Sequence, residues 1–196
     1  QGRSLFISCP NVGGVRITSV PPKTAAEAPA CDNAIFEPEY SLPINKNGFE
    51  NTLVGTDGTR VSLVTEGSYW GIKIYNAQGT LLNTINRWNI NYTDDRFLTR
   101  QYILSLPLKP GEVIFGTGER YNHFNQNGQR VCFWNTDPCY HGNSSLENYE
   151  LWRGYKNVPI VSSDRGITYF FNTTCYGTGD FGFTDKTRME LRFDDY

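Results

Sequence analysis

Hydrophobic and polar residues alternate with a period of two along much of the chain, which is the pattern of half-buried β-strands. The clearest case contains Trp70, Ile72 and Ile74, which would share one face of a strand. A turn sequence at residues 76–79 follows it, and a second strand-like segment occupies residues 80–85. This arrangement predicts a β-hairpin.

Strand-like segments of the same kind recur along the chain and are separated by turn signals. They lie at residues 15–20, 60–64, 100–106, 112–116, 130–134, 158–162, 166–172 and 188–193. The dipeptides Asn47-Gly48 and Asp57-Gly58 are typical hairpin turns. Nowhere do apolar residues recur at helical spacing over three turns. Many short strands without a long helix predict an all-β sandwich or barrel, which we assign to a single domain spanning residues 1–196.

The composition agrees with a turn-rich β protein that has a substantial core. Aromatic residues make up 14% of the 196 residues, glycine numbers 19, and charged residues reach only 19%, too few for a disordered chain. The net charge of -2 gives no positive field for neutralising phosphates, so we predict no nucleic-acid partner. No apolar run approaches the ~18 residues of a membrane helix, so we predict no membrane partner either.

The ends and the cysteines of the chain bear on what the sequence represents. It begins at Gln1 without an initiator methionine or a signal peptide, and it ends at Tyr196 directly after a strand-like alternation. We therefore expect it to be part of a longer protein. Five cysteines are an odd number, which does not suit the disulfide framework of a small secreted domain. That count favours a reducing compartment, the cytoplasm.

Residues 121–155 differ from the rest of the chain because they are polar, aromatic and irregular. Long irregular loops on a rigid sheet are where binding residues concentrate. Within this region Trp134, Asn135 and Asp137 combine an aromatic ring with an amide and a carboxylate, which is the chemistry of sugar recognition. The alternative is a core tryptophan followed by a turn-capping aspartate, and composition alone favours that alternative.

Four residues of the same region, His123, Cys132, Cys139 and His141, are of metal-ligating type. Their spacing matches no common zinc module, so we interpret them as two buried thiols and two loop histidines. A Cys132–Cys139 disulfide stays open for an oxidising compartment. The glycine-rich segment at 116–120 lacks the third glycine and the following helix of a nucleotide loop. We therefore predict no metal and no cofactor.

We assign no catalytic residue within the chain. A Ser-His-Asp triad would have to use one of the two histidines, and no Gly-x-Ser-x-Gly turn is present. The acidic pairs Asp94-Asp95 and Asp194-Asp195 occupy adjacent strand positions, whose side chains point to opposite faces. They are expected at solvated edges rather than as an acid–base pair.

Several motifs follow one another in the second half of the chain. They are FGTGER at 115–120, NGQ at 127–129, WNTD at 134–137, YKNVP at 155–159, RG at 165–166 and FN at 171–172. This series resembles the N-terminal β-sandwich domain of glycoside hydrolase family 31, and its NGQ and YKN forms are most similar to the α-xylosidase branch. The resemblance implies a galactose-mutarotase-like β-sandwich. It also implies that both catalytic aspartates lie in a downstream (β/α)8 barrel.

The resemblance further implies roles for three residues. Asp137 would bind the substrate sugar from a loop that reaches over the barrel mouth, and Trp134 and Asn135 would anchor that loop. The chain would then be the non-catalytic N-terminal domain of a retaining α-glycosidase of the α-xylosidase or α-glucosidase type. Its partners would be an α-linked oligosaccharide and the enzyme's own catalytic barrel, and a homo-oligomer is compatible with the sequence.

Three other functions are compatible with the same residues. They are a stand-alone carbohydrate-binding module, a domain of an α-glucan transglycosylase, and a mutarotase-like epimerase. An epimerase needs a histidine acid and a glutamate base that face one sugar, and His123 and His141 are the only histidines available. The glycosidase interpretation accounts for the whole motif series, so it is our expectation.

Overall fold

The computed structural model describes the chain over the following ranges. They are residues 4–10, 14–20, 39–40, 50–66, 69–86, 88–94, 100–120, 122–135 and 154–194. All regular secondary structure in these ranges is β-strand, and they contain no helix suited to crossing a membrane. The prediction of an all-β fold is confirmed.

The chain divides into two compact units, Gln1–Asn86 and Arg87–Tyr196. The strands of the first unit are β1 (Ser4–Pro10), β2 (Arg16–Val20), β3 (Glu39–Tyr40), β4 (Glu50–Val54), β5 (Arg60–Glu66), β6 (Tyr69–Tyr75) and β7 (Leu81–Asn86). They form one sheet in the order β2-β1-β3 and a second in the order β4-β5-β6-β7. That residues 1–196 make one sandwich domain stays a prediction.

The hairpin predicted at residues 70–85 is confirmed. Strands β6 and β7 pair antiparallel, and the Gly79 N–H donates to the carbonyl of Asn76 at 2.9 Å. The Asn76 side chain closes the turn, because its Oδ1 accepts a hydrogen bond from the Thr80 N–H at 2.8 Å. Ile72 on β6 and Val61 on β5 are fully buried, as the alternation of the strands requires.

The second unit contains the region with the candidate chemistry. Its strands are β8 (Ile90–Asp94), β9 (Arg100–Pro107), β10 (Ile114–Glu119), β11 (Gln129–Phe133), β12 (Lys156–Ser163), β13 (Ile167–Phe170), β14 (Gly177–Phe181) and β15 (Arg188–Asp194). They form a five-stranded sheet in the order β11-β14-β15-β9-β8 and a three-stranded sheet in the order β10-β12-β13. All strand pairs in both sheets are antiparallel.

Strand β14, which lies between β11 and β15, is missing from the sequence-based prediction. Its glycines carry no side chains, so the strand shows no alternation of polar and apolar residues. They instead leave room for the aromatic core. A Cβ on Gly177 would lie 2.3 Å from the ring of Phe193, and a Cβ on Gly179 would lie 2.8 Å from the ring of Phe181. The absence of side chains here is therefore a packing requirement of the sheet.

Asp194, at the end of β15, corrects another expectation. It is buried, with 9% of its surface exposed, rather than placed at a solvated edge. Its Oδ1 accepts a hydrogen bond from Nε2 of Gln101 at 2.8 Å, and Gln101 is its register partner on β9. A buried carboxylate needs such a donor. The alternation within β15 cannot reveal that donor because it comes from a neighbouring strand.

Candidate functional site

Strand β10 ends in a distorted stretch in which consecutive residues have positive φ. The angles are +104° at Gly116, +65° at Thr117 and +92° at Gly118. The register with β12 shifts at this point, which marks a β-bulge. Thr117 is fully buried although positive φ is unfavourable for threonine. Such a conformation persists only where the surroundings enforce it, so this end of β10 is held in one arrangement.

Two glycines allow the end of β10 to touch the start of β12. A Cβ on Gly118 would lie 2.0 Å from the Lys156 carbonyl oxygen. A Cβ on Gly154 would lie 2.4 Å from the Glu119 carbonyl oxygen. Only glycine fits at either position. The two backbones are therefore in direct contact.

Arg120 links the end of β10 to β11. Its Nε donates to Thr117 Oγ1 at 2.8 Å, and its guanidinium donates to the Cys132 carbonyl at 3.0 Å. Burial lowers the pKa of Arg120 to about 10, although interaction with Cys132 acts in the opposite direction. The guanidinium therefore stays charged at neutral pH. It lies over the ring of Phe133, 5.5 Å from the ring centroid, as a part-buried cation–π pair.

The end of β11 and the start of β12 meet in an arrangement that we call the loop neck, made of Asn135, Gly154 and Asn157. Asn135 and Gly154 form an isolated parallel β-bridge. Asn135 Oδ1 accepts hydrogen bonds from the backbone N–H of Asn157 at 2.7 Å and from its Nδ2 at 3.1 Å. Asn157 Nδ2 also donates to the Gly154 carbonyl at 2.8 Å. The neck therefore joins the two ends of segment 136–153.

Two aromatic side chains adjoin the loop neck in sequence and are partly exposed. Trp134 is 48% exposed and Tyr155 is 41% exposed. The alternative interpretation of Trp134 as a core residue is therefore wrong, and its role as a loop anchor stays a prediction. Phe133, one position earlier, is 5% exposed and occupies the core, so alternation turns the next side chain away. The stability loss of about 3–5 kcal/mol expected on removing a core tryptophan does not apply to Trp134.

The other residues singled out from the sequence divide into two groups. His123 and Cys132 lie in the described ranges, where no group of three His, Cys, Asp or Glu side chains is placed to hold a metal ion. Cys139, His141 and Asp137 lie outside the described residues. The substrate-binding role of Asp137 and the state of the Cys132–Cys139 pair therefore stay predictions.

Asn157 is the residue of the loop neck that sequence reasoning missed. It belongs to the YKNVP segment, which was noticed only as part of a family resemblance. Its link to Asn135 spans 22 positions of sequence, and only the meeting of β11 and β12 brings the two amides together. The available signal in the sequence is an asparagine three positions after Gly154 and near the start of a strand, and this signal is weak.

The NGQ motif has a structural role. Asn127 Nδ2 donates to the Glu112 carbonyl at 2.6 Å, and the Gly128 N–H donates to the Phe181 carbonyl at 2.7 Å. These bonds tie the segment after β10 to Glu112, which lies just before that strand, and to the end of β14. The motif thus fixes the approach to β11.

A concave surface with a volume of about 390 Å³ lies over β11, β14 and β15. Its lining includes three arginines and three carboxylates: Arg130, Arg188, Arg192, Asp180, Asp185 and Glu190. The charges cancel, and the carboxylates are paired with those arginines. A groove whose carboxylates are already engaged offers a substrate few acceptors, so we place the candidate site at the loop neck.

Asp180 in this groove provides a pH-dependent test of the fold. Burial acts to raise the pKa of Asp180, but hydrogen bonds from Thr184, Arg130 and Phe183 outweigh it and hold that pKa below the ordinary 3.8. Because the folded pKa is the lower one, the stabilisation is complete above the unfolded pKa and is lost as pH falls through the folded pKa. We therefore expect Asp180→Asn to lower the free energy of unfolding at pH 6 by less than about 1 kcal/mol after solvent screening, with a correspondingly lower Tm, and we expect the difference from the unmodified chain to shrink as the pH falls below 3.8. Thermal melts across this range check it, and a Tm difference that stays constant with pH would contradict it.

Comparison with known proteins identifies the family. The model of the glycosyl hydrolase 31 N-terminal galactose mutarotase-like domain matches residues 4–180. The chain therefore belongs to this domain family, and the predicted galactose-mutarotase-like sandwich is confirmed.

Individual relatives match parts of the chain. The α-xylosidase of Emericella nidulans is 40% identical over 82 residues, which are 41% of this chain and 9% of that protein. An α-xylosidase of Lactiplantibacillus pentosus is 31% identical over 80 residues, which are 41% of this chain and 9% of that protein. The match thus spans less than a tenth of the length of these curated relatives.

Solved structures share the fold. The cycloalternan-forming enzyme from Listeria monocytogenes, solved in complex with a pentasaccharide substrate, aligns with a TM-score of 0.74 and 16% identity over 97% of this chain and 17% of its own. The GH31 dextranase of Flavobacterium johnsoniae, solved in complex with glucose, aligns with a TM-score of 0.57 and 20% identity over 77% of this chain and 17% of its own. At these identities the likeness shows the fold alone.

Proposed function

We propose that the chain is the non-catalytic N-terminal domain of a retaining α-glycosidase that acts on α-linked oligosaccharides. In this proposal the domain supplies a loop to the substrate pocket, and the loop's Asp137 binds a sugar of the substrate. Trp134 and Asn135 anchor the loop. The catalytic carboxylates belong to a barrel elsewhere in the enzyme.

The proposal rests on the loop neck, where Asn135 is joined to Gly154 and Asn157 in a domain that belongs to this family. Asn135 Oδ1 holds Asn157 through two hydrogen bonds, and Asp137 follows Asn135 by two positions. A segment whose ends are joined presents its residues from a defined base. The partly exposed rings of Trp134 and Tyr155 beside that base add apolar surface of the kind that covers a pyranose face.

The α-xylosidase type is favoured over the other members of the family by sequence. The relatives with 40% and 31% identity are both α-xylosidases. The NGQ and YKN segments resemble the same branch. The likeness to the cycloalternan-forming enzyme, at 16% identity, extends to the fold and does not select transfer over hydrolysis.

The proposal predicts that the 196-residue chain alone does not cleave aryl α-xylosides or aryl α-glucosides. A retaining mechanism needs two carboxyl groups about 5 Å apart, and the proposal places both in the barrel. The measurement is aryl release by the purified chain beside the full-length enzyme that contains it, with NMR of the product anomer. Turnover by the chain alone that survives Asp137→Asn would show a catalytic pair within it and overturn the non-catalytic assignment.

A further inference from the structure

We propose that one side of the sheet β10-β12-β13 is the surface against which the catalytic barrel of the full-length enzyme packs. We call this side the apolar face, and its apolar members are Phe115, Phe124, Ile160 and Phe170. The inference rests on the proposed function, which places the domain in an enzyme whose barrel lies elsewhere in the chain. It adds the side of the domain that the barrel contacts.

Alternation along β12 and its register with β13 define the apolar face. Val161 is fully buried and faces the core, so its neighbour Ile160 points to the opposite side of the sheet. Ile160 is in register with Phe170 on β13, which is 47% exposed. Because side chains in register on adjacent strands share one side of a sheet, Ile160 and Phe170 lie next to each other and away from the core.

Two phenylalanine rings extend the apolar face across β10. Phe115 is in register with Ser162, which lies two positions after Ile160 and therefore on the same side of β12. The ring of Phe124, from the segment after β10, stacks on the ring of Phe115 with the centroids 5.5 Å apart and the planes 14° apart. Phe124 is nevertheless 76% exposed, so most of its ring faces solvent in this chain.

Hydrogen bonds hold Phe124 in this exposed position. The Gln126 N–H donates to the Ile114 carbonyl at 2.7 Å, and the Ile114 N–H donates to Asn125 Oδ1 at 3.1 Å. Both bonds tie the residues directly after Phe124 to β10. A phenylalanine ring that is fixed in water forgoes the free energy that its burial would give. A cluster of such side chains on a rigid sheet indicates a surface that contacts another molecule or domain.

The polar groups of the apolar face are paired with each other or lie at its ends. Ser162 Oγ and Thr168 Oγ1, which are in register, share a hydrogen bond of 2.9 Å. Lys156 pairs with Glu119 at 3.5 Å at one end of the sheet, and exposed charged residues at 164–165 lie at the other end. An apolar centre with a polar margin is the arrangement of protein interfaces. A sugar site needs several polar groups that converge on hydroxyls, so this face suits an apolar protein surface instead.

The barrel is the partner that this surface fits best, because the domain is a small part of the enzymes to which it is similar. Two of the solved structures align with it over 17% of their own chains, so most of such an enzyme lies outside this domain. A barrel joined to the domain by the same polypeptide meets the apolar face at a high effective concentration. Four apolar side chains are then sufficient for a stable contact, whereas a separate copy of the chain would need a larger interface.

Hydroxyl-radical footprinting of the full-length enzyme tests whether the apolar face is covered. Phe183 is the matched control, because it is the same residue type, is 59% exposed and lies just after β14. Mass spectrometry gives the labelling rate of each ring relative to its rate in the urea-denatured enzyme. We expect Phe124 and Phe170 to react at least ~5-fold more slowly than Phe183, since residues at the centre of an interface are fully buried. A smaller difference, or a faster reaction at Phe124 than at Phe183, would overturn the inference.

Photo-crosslinking identifies what covers the apolar face. Phe124→p-benzoylphenylalanine is made in the full-length enzyme, and a mixture of unlabelled and isotopically labelled copies is irradiated. We expect a cross-link to a peptide of the barrel within the same copy. A cross-link between copies would assign the face to a second copy of the chain, and a link confined to this domain, or no link, would equally contradict the inference. Phe170→p-benzoylphenylalanine probes the same face if the first variant does not fold.

Failure of the proposed function is recognised separately. The same full-length enzyme is assayed for cleavage of an α-linked oligosaccharide. Cleavage by an enzyme in which Phe124 reacts as fast as Phe183 would refute the barrel contact and leave the proposed function standing. Cross-links to the barrel in an enzyme that cleaves no α-glycoside would refute the proposed function and leave the contact standing.

Discussion

Replacing Gly118 by alanine is expected to destabilise the domain by about 2–5 kcal/mol. An L-residue in the left-handed region costs about 1–2 kcal/mol, and forcing an extra carbon into a packed site costs about 1–3 kcal/mol more. Both terms apply, because φ is +92° and the new Cβ would lie 2.0 Å from the Lys156 carbonyl oxygen. Neither the oxygen nor the Val158 nitrogen at 2.7 Å can move without breaking the pairing of β10 with β12.

Gly111 provides the matched control for this change. Its φ of +76° is similar, but a Cβ there meets no atom within 4 Å. Gly111→Ala should therefore show the backbone term alone, about 1–2 kcal/mol. Urea unfolding of both variants measures the difference. Equal losses at the two positions would mean that the close approach of β10 to β12 does not exist in solution.

The strands that were predicted are those in which side chains alternate between clear turn signals, whereas β1, β3, β4, β8 and β14 were not predicted. The hairpin of β6 and β7 follows from three apolar residues on one face and an asparagine–glycine turn, which are local features. Strand β14 was missed because two of its five residues are glycines. Gly177 packs against the ring of Phe193 on β15, and Gly179 packs against the ring of Phe181 at the end of β14 itself. Packing requirements of that kind leave no periodic signal in the sequence.

The candidate site was predictable in its location and not in its contacts. The polar, aromatic stretch at 121–155 indicated a loop on a sheet. Asn135 and Gly154 of the loop neck lie within this stretch, and Asn157 lies two positions beyond it. The exposure of Trp134 and the role of Asn157 both depend on how β11 and β12 meet. A cross-strand hydrogen bond between two asparagines has no counterpart in local sequence, since asparagine is common in turns of every kind. The burial of Asp194 could not be predicted either, because its hydrogen-bond donor, Gln101, lies on the neighbouring strand β9.

Asp137→Ala is expected to lower kcat/KM on oligosaccharides by roughly 10- to 150-fold. A carboxylate that accepts sugar hydroxyls makes charge-assisted hydrogen bonds, each of which contributes about 1.5–3 kcal/mol in a partly dry site. Losing one such contribution in the transition state gives the stated range through the exponential relation between free energy and rate. Tm should stay nearly unchanged, because in this proposal the contacts of Asp137 are with substrate and not with the fold.

The most direct test of the central claim, that this domain supplies a substrate-binding carboxylate, is a paired measurement on Asp137→Ala in the full-length enzyme. Thermal melts and kinetic titrations with an α-linked oligosaccharide are made on the same preparation. The proposal predicts a loss of kcat/KM within the 10- to 150-fold range of a charged hydrogen bond, at an unchanged Tm. A lowered Tm with unchanged activity per folded molecule would instead show that Asp137 caps a turn, and it would contradict the proposed role of the loop.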